Sequence, residues 1–185
     1  MKIAFPKVVK SSYVLRPFDV SDTKDLTDVI ERNRAFLRTT LPWLDYSRSE
    51  TDSSRFIEHS ISGYLEETSL NLCLEGANEG IIGVVSFNKI AIEPETKLKF
   101  GTIGYWLDSS MNGKEIVTEA VRILLDIGFE NYSIDRACIS CGTENRKSQM
   151  VAERLGFKFI KEIKDAENLY GKYVNHFLYE LGKDD

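Results

Sequence analysis

The chain has 185 residues, 42% hydrophobic and 29% charged, with a formal net charge of -5 and a pI near 5.2. That is enough for one domain with its own core, and the acidic balance argues against a protein that grips a nucleic-acid backbone, leaving amines and other basic or neutral partners in favour. Two histidines, His59 and His176, are too few for a His-rich metal site, so no metal is expected.

Residues 1–10 lack the long apolar stretch of a signal peptide, and no apolar run reaches the roughly 18–20 residues that cross a bilayer. A cytoplasmic protein with no membrane partner is the expectation. Tyr13 to Phe18 reads as a short strand closed by Arg16-Pro17. Ser21 or Asp22 can cap a helix that runs through Arg38 with Leu26, Val29, Ile30, Phe36 and Leu37 at helical spacing. Thr39 to Ser47 is a loop holding Leu41-Pro42-Trp43-Leu44, and a second helix spans about Ser49 to Leu65. Leu70 to Glu75, Ile81 to Ile90 and Gly101 to Leu107 read as strands, the middle one apolar enough to be central. Asp108 to Gly113 is a loop of turn-forming residues, followed by a helix from Lys114 to about Tyr132.

Asp135 to Cys141 is a strand, and Thr143 or Glu144 opens a helix that ends at Leu155, with Gly156 at the usual stop position. Phe157 to Ile163 and Val174 to Leu181 are two last strands joined by a charged loop. Cys138 and Cys141 make a C-x-x-C, but no second pair accompanies them, and residues three apart on a strand point to opposite faces. They read as reduced structural thiols. No repeat, low-complexity stretch or linker interrupts the chain, so residues 1–185 form one mixed α/β domain.

The informative stretch is Gly101 to Phe157. A strand that feeds a loop and then a helix N-terminus offers orphan amides and a positive dipole end, which suits an anion such as a pyrophosphate. A plain strand-to-helix turn has the same pattern. More specific are Ile103-Gly-Tyr-Trp-Leu-Asp108 with Asn112-Gly-Lys114 and Thr118-Glu-Ala120, then Thr143-Glu-Asn145-Arg-Lys-Ser148 with Val151-Ala-Glu-Arg-Leu-Gly-Phe157. Added to Leu15-Arg-Pro17, Asn33, Leu41-Pro-Trp43 and Tyr173-Val-Asn-His176, these blocks resemble, in order and over nearly the whole chain, the RimJ/RimL branch of the GNAT acetyltransferases.

The resemblance implies a GNAT fold: a mostly antiparallel sheet splayed at a bulge and flanked by about four helices. It implies an acetyl-CoA-dependent N-acetyltransferase acting on a primary amine, foremost a ribosomal-protein N-terminus, by direct attack in a ternary complex. Trp106 and Leu107 would pair with the pantetheine, and the amides of Asn112, Gly113, Lys114, Glu115, Ile116 and Val117 would hold the pyrophosphate. Asn145 would bond the pantetheine arm, and Ser148, on the same helix face, would donate to the leaving sulfur. Glu167 would take the amine proton, with Asp165 and Glu162 close behind, and Asn33 and Trp43 would lie on the acceptor side. Relatives of this kind often dimerise, so a homodimer is a further expectation.

Each assignment has a plainer counterpart: a solvated Ser148, a surface Glu167, an Asn145 that serves the helix start, a Trp43 that fills core, a packed His176. A polyamine, an antibiotic amine or a non-catalytic CoA- or partner-binding role also remain in play. The sequence departs from the family's phosphate loop, Gln/Arg-x-x-Gly-x-Gly/Ala, at Asn112, Glu115 and Val117. A carboxylate there would repel a pyrophosphate unless it swings to solvent.

Overall fold

The computed structural model describes residues 3–185. Its elements in chain order are β1 (Lys7–Val9), β2 (Tyr13–Pro17), α1 (Thr23–Leu37), α2 (Glu50–Leu65), β3 (Leu70–Gly76), β4 (Gly80–Ile92), β5 (Lys99–Leu107), α3 (Ile116–Asn131), β6 (Arg136–Gly142), α4 (Arg146–Arg154), β7 (Lys158–Leu169) and β8 (Lys172–Gly182). Short 3-10 turns precede α1, α2 and α3. The eight strands form one sheet in the order β1-β2-β3-β4-β5-β6-β8-β7. Every neighbouring pair is antiparallel except β5 and β6.

The sheet is covered on both faces, and the strand pattern explains why. Leu72, Leu74, Val85 and Phe87 join the core against α3, while Cys73, Val84 and Ile81 join the core against α1 and α2. Alternate residues of a strand point to opposite faces, so a continuous apolar run such as β4 can only be stable with cover on each side. Phe87 is fully buried and close to two glycines: a Cβ on Gly101 would stand 2.5 Å from its ring, and one on Gly128 2.6 Å. The absence of side chains there lets β5 and α3 close on the ring.

Arg16 ties β2 to its neighbours. Its guanidinium grips Asp22 at the start of α1 through two 2.8 Å bonds and Glu75 of β3 at 2.6 Å. Ser49 caps α2 with a reciprocal bond from Asp52.

Several elements differ from the sequence reading, α3 among them, which begins at Ile116 and not at Lys114 because Glu115 takes the capping position. The edge strand β1 precedes the expected first strand. The helix opened by Thr143 or Glu144 begins later, at Arg146, because Asn145 takes the capping position. The charged loop expected between the last two strands is itself strand: β7 and β8 extend to a tight turn at Tyr170 and Gly171. Past Ile163, β7 is a mostly polar run, Lys164 to Asn168, on an exposed edge, so no apolar period announces the extension. Among the described residues no helix is long and apolar enough to cross a membrane.

Candidate active site

β5 and β6 pair only over Phe100–Ile103 and Arg136–Ile139. Beyond that, β5 keeps β4 as far as Leu107, and β6 keeps β8 as far as Gly142. The two strands therefore part, and Gly104 to Leu107 face the gap without a strand partner on that side. Opposite, the register between β4 and β5 shifts at Asn88. The buried Ser86 hydroxyl fills the irregularity, 2.6 Å from Asn88 Oδ1 and 3.1 Å from the Gly104 carbonyl.

Two cavities flank the gap. The smaller, about 620 Å³, runs from Trp106 and Leu107 along the start of α3 to Arg154. The larger, about 930 Å³, lies among Trp43, the end of β6 and the β7–β8 hairpin. They share Thr40, Leu41, Tyr105, Asn145 and Ser148. A ligand from each side can thus meet at Ser148.

The smaller cavity is built mostly from main chain. The loop before α3 is pinned: Asn33 accepts from the Ser109 amide and hydroxyl at 2.9 Å, and Asp108 accepts from the Ser110 amide and from Arg32. Burial works to raise the Asp108 carboxyl, but the bonds from Arg32 and Ser110 prevail and hold it at about 2. Asn112 folds back on Ser109. From Gly113 to Thr118 the amides have no backbone acceptor among the described residues; the first helical bond runs from the Glu119 amide to the Glu115 carbonyl. Such a row of free amides at a helix start attracts an anion.

Glu115, where the family pattern has a glycine, adopts a backbone that favours glycine. Its φ is +56°, in the left-handed region, and its side chain is 58% exposed and paired with Lys10 at 3.1 Å. That bond holds its carboxyl below the usual range. Val117 leans onto the core packed around α3. The cavity stays open with all three departures from the phosphate-loop pattern, Asn112, Glu115 and Val117, in its lining.

At the junction, Asn145 Oδ1 accepts from the Ser148 amide at 3.2 Å, so this side chain does start the helix. Its Nδ2 makes no hydrogen bond among the described residues, and the residue lines both cavities. Ser148 is 9% exposed, and its Oγ lies 2.7 Å from the Tyr105 hydroxyl. Burial pushes the Tyr105 phenol upward, which keeps it protonated and able to donate. Cys141 is a buried thiol, also raised by burial, with Ser148 opposing the shift.

The larger cavity is built from side chains. Glu167 Oε2 lies 3.6 Å from His176 Nε2, and His176 Nδ1 lies 3.0 Å from Ser140 Oγ. Of the three carboxylates weighed in the hairpin, only Glu167 lines the cavity. Glu162 accepts from Asn175, and Asp165 donates its amide to the same side chain. The hairpin tip is fastened down: the Tyr170 hydroxyl donates to the Leu41 carbonyl at 2.6 Å and accepts from the Leu44 amide, while Arg38 stands 3.6 Å over its ring. Trp43 faces this cavity with its ring 6.4 Å from that of Trp106.

Asn33 sits elsewhere than the acceptor side where the resemblance put it. It is 3% exposed, and its amide is spent on the loop before α3 and on Val29. Sequence reasoning gave no role to Tyr105, Lys10, Arg154 or Tyr170. Tyr105 stood inside the resembling run and two residues from Leu107, on the same strand face, and Arg154 stood inside the second block; Lys10 and Tyr170 carried no signal.

A family model described as an acetyltransferase (GNAT) domain matches residues 13–158. The ribosomal-protein-serine acetyltransferase of Escherichia coli (strain K12) is 28% identical over 176 residues, covering 90% of this chain and 96% of that one. A structure of RimL, the ribosomal L7/L12 alpha-N-protein acetyltransferase, in complex with coenzyme A superposes with a TM-score of 0.87 at 29% identity, covering 96% and 97% of the two chains. The microcin C7 self immunity acetyltransferase MccE, in complex with acetyl-CoA and AMP, gives a TM-score of 0.85 at 29% identity over 94% and 93%.

Proposed function

The chain belongs to the acetyltransferase (GNAT) family, and from that premise we propose that it moves the acetyl group of acetyl-CoA onto the N-terminal amine of a protein, of the ribosomal-protein kind. Residues 1–185 act as one N-acetyltransferase domain. The observation that carries this reading is the meeting of two cavities at Ser148, one walled by free amides and the other by polar side chains. Supporting it are the relatives, two of which are ribosomal-protein acetyltransferases by name.

Acetyl-CoA occupies the smaller cavity. The amides of Gly113 to Thr118 hold its pyrophosphate, the free edge of β5 at Trp106 and Leu107 pairs with the pantetheine, and Asn145 Nδ2 donates to the same arm. The amine enters through the larger cavity beside Trp43. A neutral amine is needed for attack, so a proton must leave it; Glu167 takes that proton, directly or through one water. The nitrogen lone pair forms the new N–C bond, a β5 main-chain amide near Leu107 stabilises the oxyanion, and the C–S bond breaks. As the intermediate collapses, the attacking nitrogen gives up its second proton to solvent; Ser148, relayed to the Tyr105 phenol, gives a proton to the departing thiolate, and solvent reprotonates the phenol. Orientation of two bound substrates supplies much of the rate.

A thiol-release assay tests this with three acceptors: short peptides with free N-termini, the same peptides acetylated beforehand, and small amines such as polyamines. Release with the free peptides alone is expected. Release with small amines alone would move the acceptor class. Tight acetyl-CoA binding by calorimetry with no release from any acceptor would point to a non-catalytic binder.

A further inference from the structure

The rim of the smaller cavity carries four cations, Lys10, Lys114, Lys147 and Arg154, in a chain whose net charge is -5. They are not equally engaged. Lys114 folds onto the Met111 sulfur at 3.3 Å, and Lys147 stands 5.2 Å from the Phe36 ring. Arg154 has no carboxylate partner among the described residues, and its charge acts on Glu115. Lys10 reaches across from the turn between β1 and β2 to bond Glu115 at 3.1 Å.

That last pair joins two residues with left-handed backbones, Lys10 at φ +47° and Glu115 at φ +56°. Both positions favour glycine, yet each carries a long charged side chain aimed at the other across 105 residues of sequence. An exposed pair of this kind contributes little stability. Its place at the cavity mouth suggests a different use.

We propose that Lys10 is a specificity residue for the 3′-phosphate of acetyl-CoA, and that Glu115 is an internal anion holding Lys10 at the rim until that phosphate replaces it. The proposal rests on the smaller cavity being the acetyl-CoA site. The chemistry divides the ligand's charge in two. Free amides suit the pyrophosphate, which is diffuse and close to the helix start. A phosphate monoester carries about -1.5 to -2 at pH 7 and needs a full cation. A lysine ammonium on a flexible stem can leave a carboxylate and follow such a group. Glu115 is not stranded by the exchange, because Arg154 remains near it.

Calorimetry on the full chain tests this with acetyl-CoA and 3′-dephospho-acetyl-CoA. The unmodified chain should prefer acetyl-CoA by roughly tenfold, the scale of one charge-assisted bond, and added salt should shrink the preference. Lys10→Ala should bring the ratio to roughly twofold by weakening acetyl-CoA and leaving the dephospho ligand unchanged. Glu115→Gln should tighten acetyl-CoA more than the dephospho ligand, since the internal competitor is gone. Both substitutions are at exposed side chains, and equal melting temperatures verify that the variants fold. An unchanged ratio in Lys10→Ala overturns the proposal. If neither ligand binds the unmodified chain, the acetyl-CoA assignment of the cavity falls, and this inference with it. If both bind with equal affinity, the assignment stands and the role of Lys10 does not.

Discussion

The two sides of the gap between β5 and β6 are made differently. The α3 side offers a ligand mainly backbone amides, on a loop pinned by Asn33, Arg32 and Asp108. The hairpin side offers it side chains, on an exposed edge strand held down at its tip by Tyr170. A backbone site tolerates changes of side chain as long as the dihedrals persist. Glu115 illustrates this: it stands where the family pattern has a glycine, yet its backbone is left-handed and the cavity is open. A side-chain site has no such tolerance. Substitutions on the hairpin side should therefore strike acceptor binding or turnover, and substitutions on the loop side should strike cofactor binding and stability.

The largest effect should come from Glu167. Glu167→Gln keeps the shape but removes the proton acceptor, and kcat/KM should fall by about 10² to 10⁴. Acetyl-CoA affinity by calorimetry should not change. A parallel loss of cofactor binding would show that the two sides are not separable. Ser148→Ala comes next, because Tyr105 can still donate near the sulfur. Turnover should drop by roughly tenfold to a hundredfold, with acetyl-CoA affinity nearly constant, and an unchanged kcat removes Ser148 from the mechanism.

The loop side should answer in stability. Asn33→Ala leaves the Ser109 amide without its partner inside the fold, at a cost of about 1–3 kcal/mol. Melting temperature and acetyl-CoA affinity should fall together, whereas acceptor KM should stay. Asp108 adds a pH signature. Its carboxyl sits lower in the folded chain than in the unfolded one, so its stabilisation is present above the ordinary carboxylate range near 4 and is lost as pH falls toward 2. The difference is worth roughly 2 kcal/mol. Asp108→Asn should melt lower at neutral pH and flatten the acid limb of the stability curve; an acid limb identical to that of the unmodified chain would remove Asp108 as its source.

The same asymmetry governs what the sequence disclosed. The apolar run of β4, the helical spacing of α3 and the strand-loop-helix that makes the cofactor side were all legible, because burial writes itself in periodicity. Glu115 looked like an obstacle in sequence, since a letter does not reveal a dihedral angle or a partner 105 residues away. The tip of the hairpin was hidden for the opposite reason. The two strands were legible as far as Ile163 and from Val174, but β7 is an exposed edge, and nothing in the mostly polar run Lys164 to Asn168 separates strand from loop until Tyr170 is seen bonded to Leu41. Asn33 was legible as a residue of the resembling pattern but not as to its use, which depends on a contact with Ser109 across 76 residues.

The smallest effect is the sharpest test of the comparison. Tyr170 touches the carbonyl of Leu41 and the amide of Leu44, and its hydroxyl is the part of it that bonds the turn leading to Trp43. Tyr170→Phe keeps the ring and the Arg38 stacking while deleting two hydrogen bonds, at a cost of about 0.5–1.5 kcal/mol each at most. If the hairpin is a wall of the acceptor groove, the loosened tip should raise acceptor KM a few-fold and leave both kcat and acetyl-CoA affinity nearly intact. Hydrogen exchange should quicken at Leu44 and across the tip, and not in the amides of α3. A variant whose cofactor affinity falls in step with its acceptor KM would mean that strain passes through Leu41, which lines both cavities, and the two sides would then have to be treated as one cooperative unit.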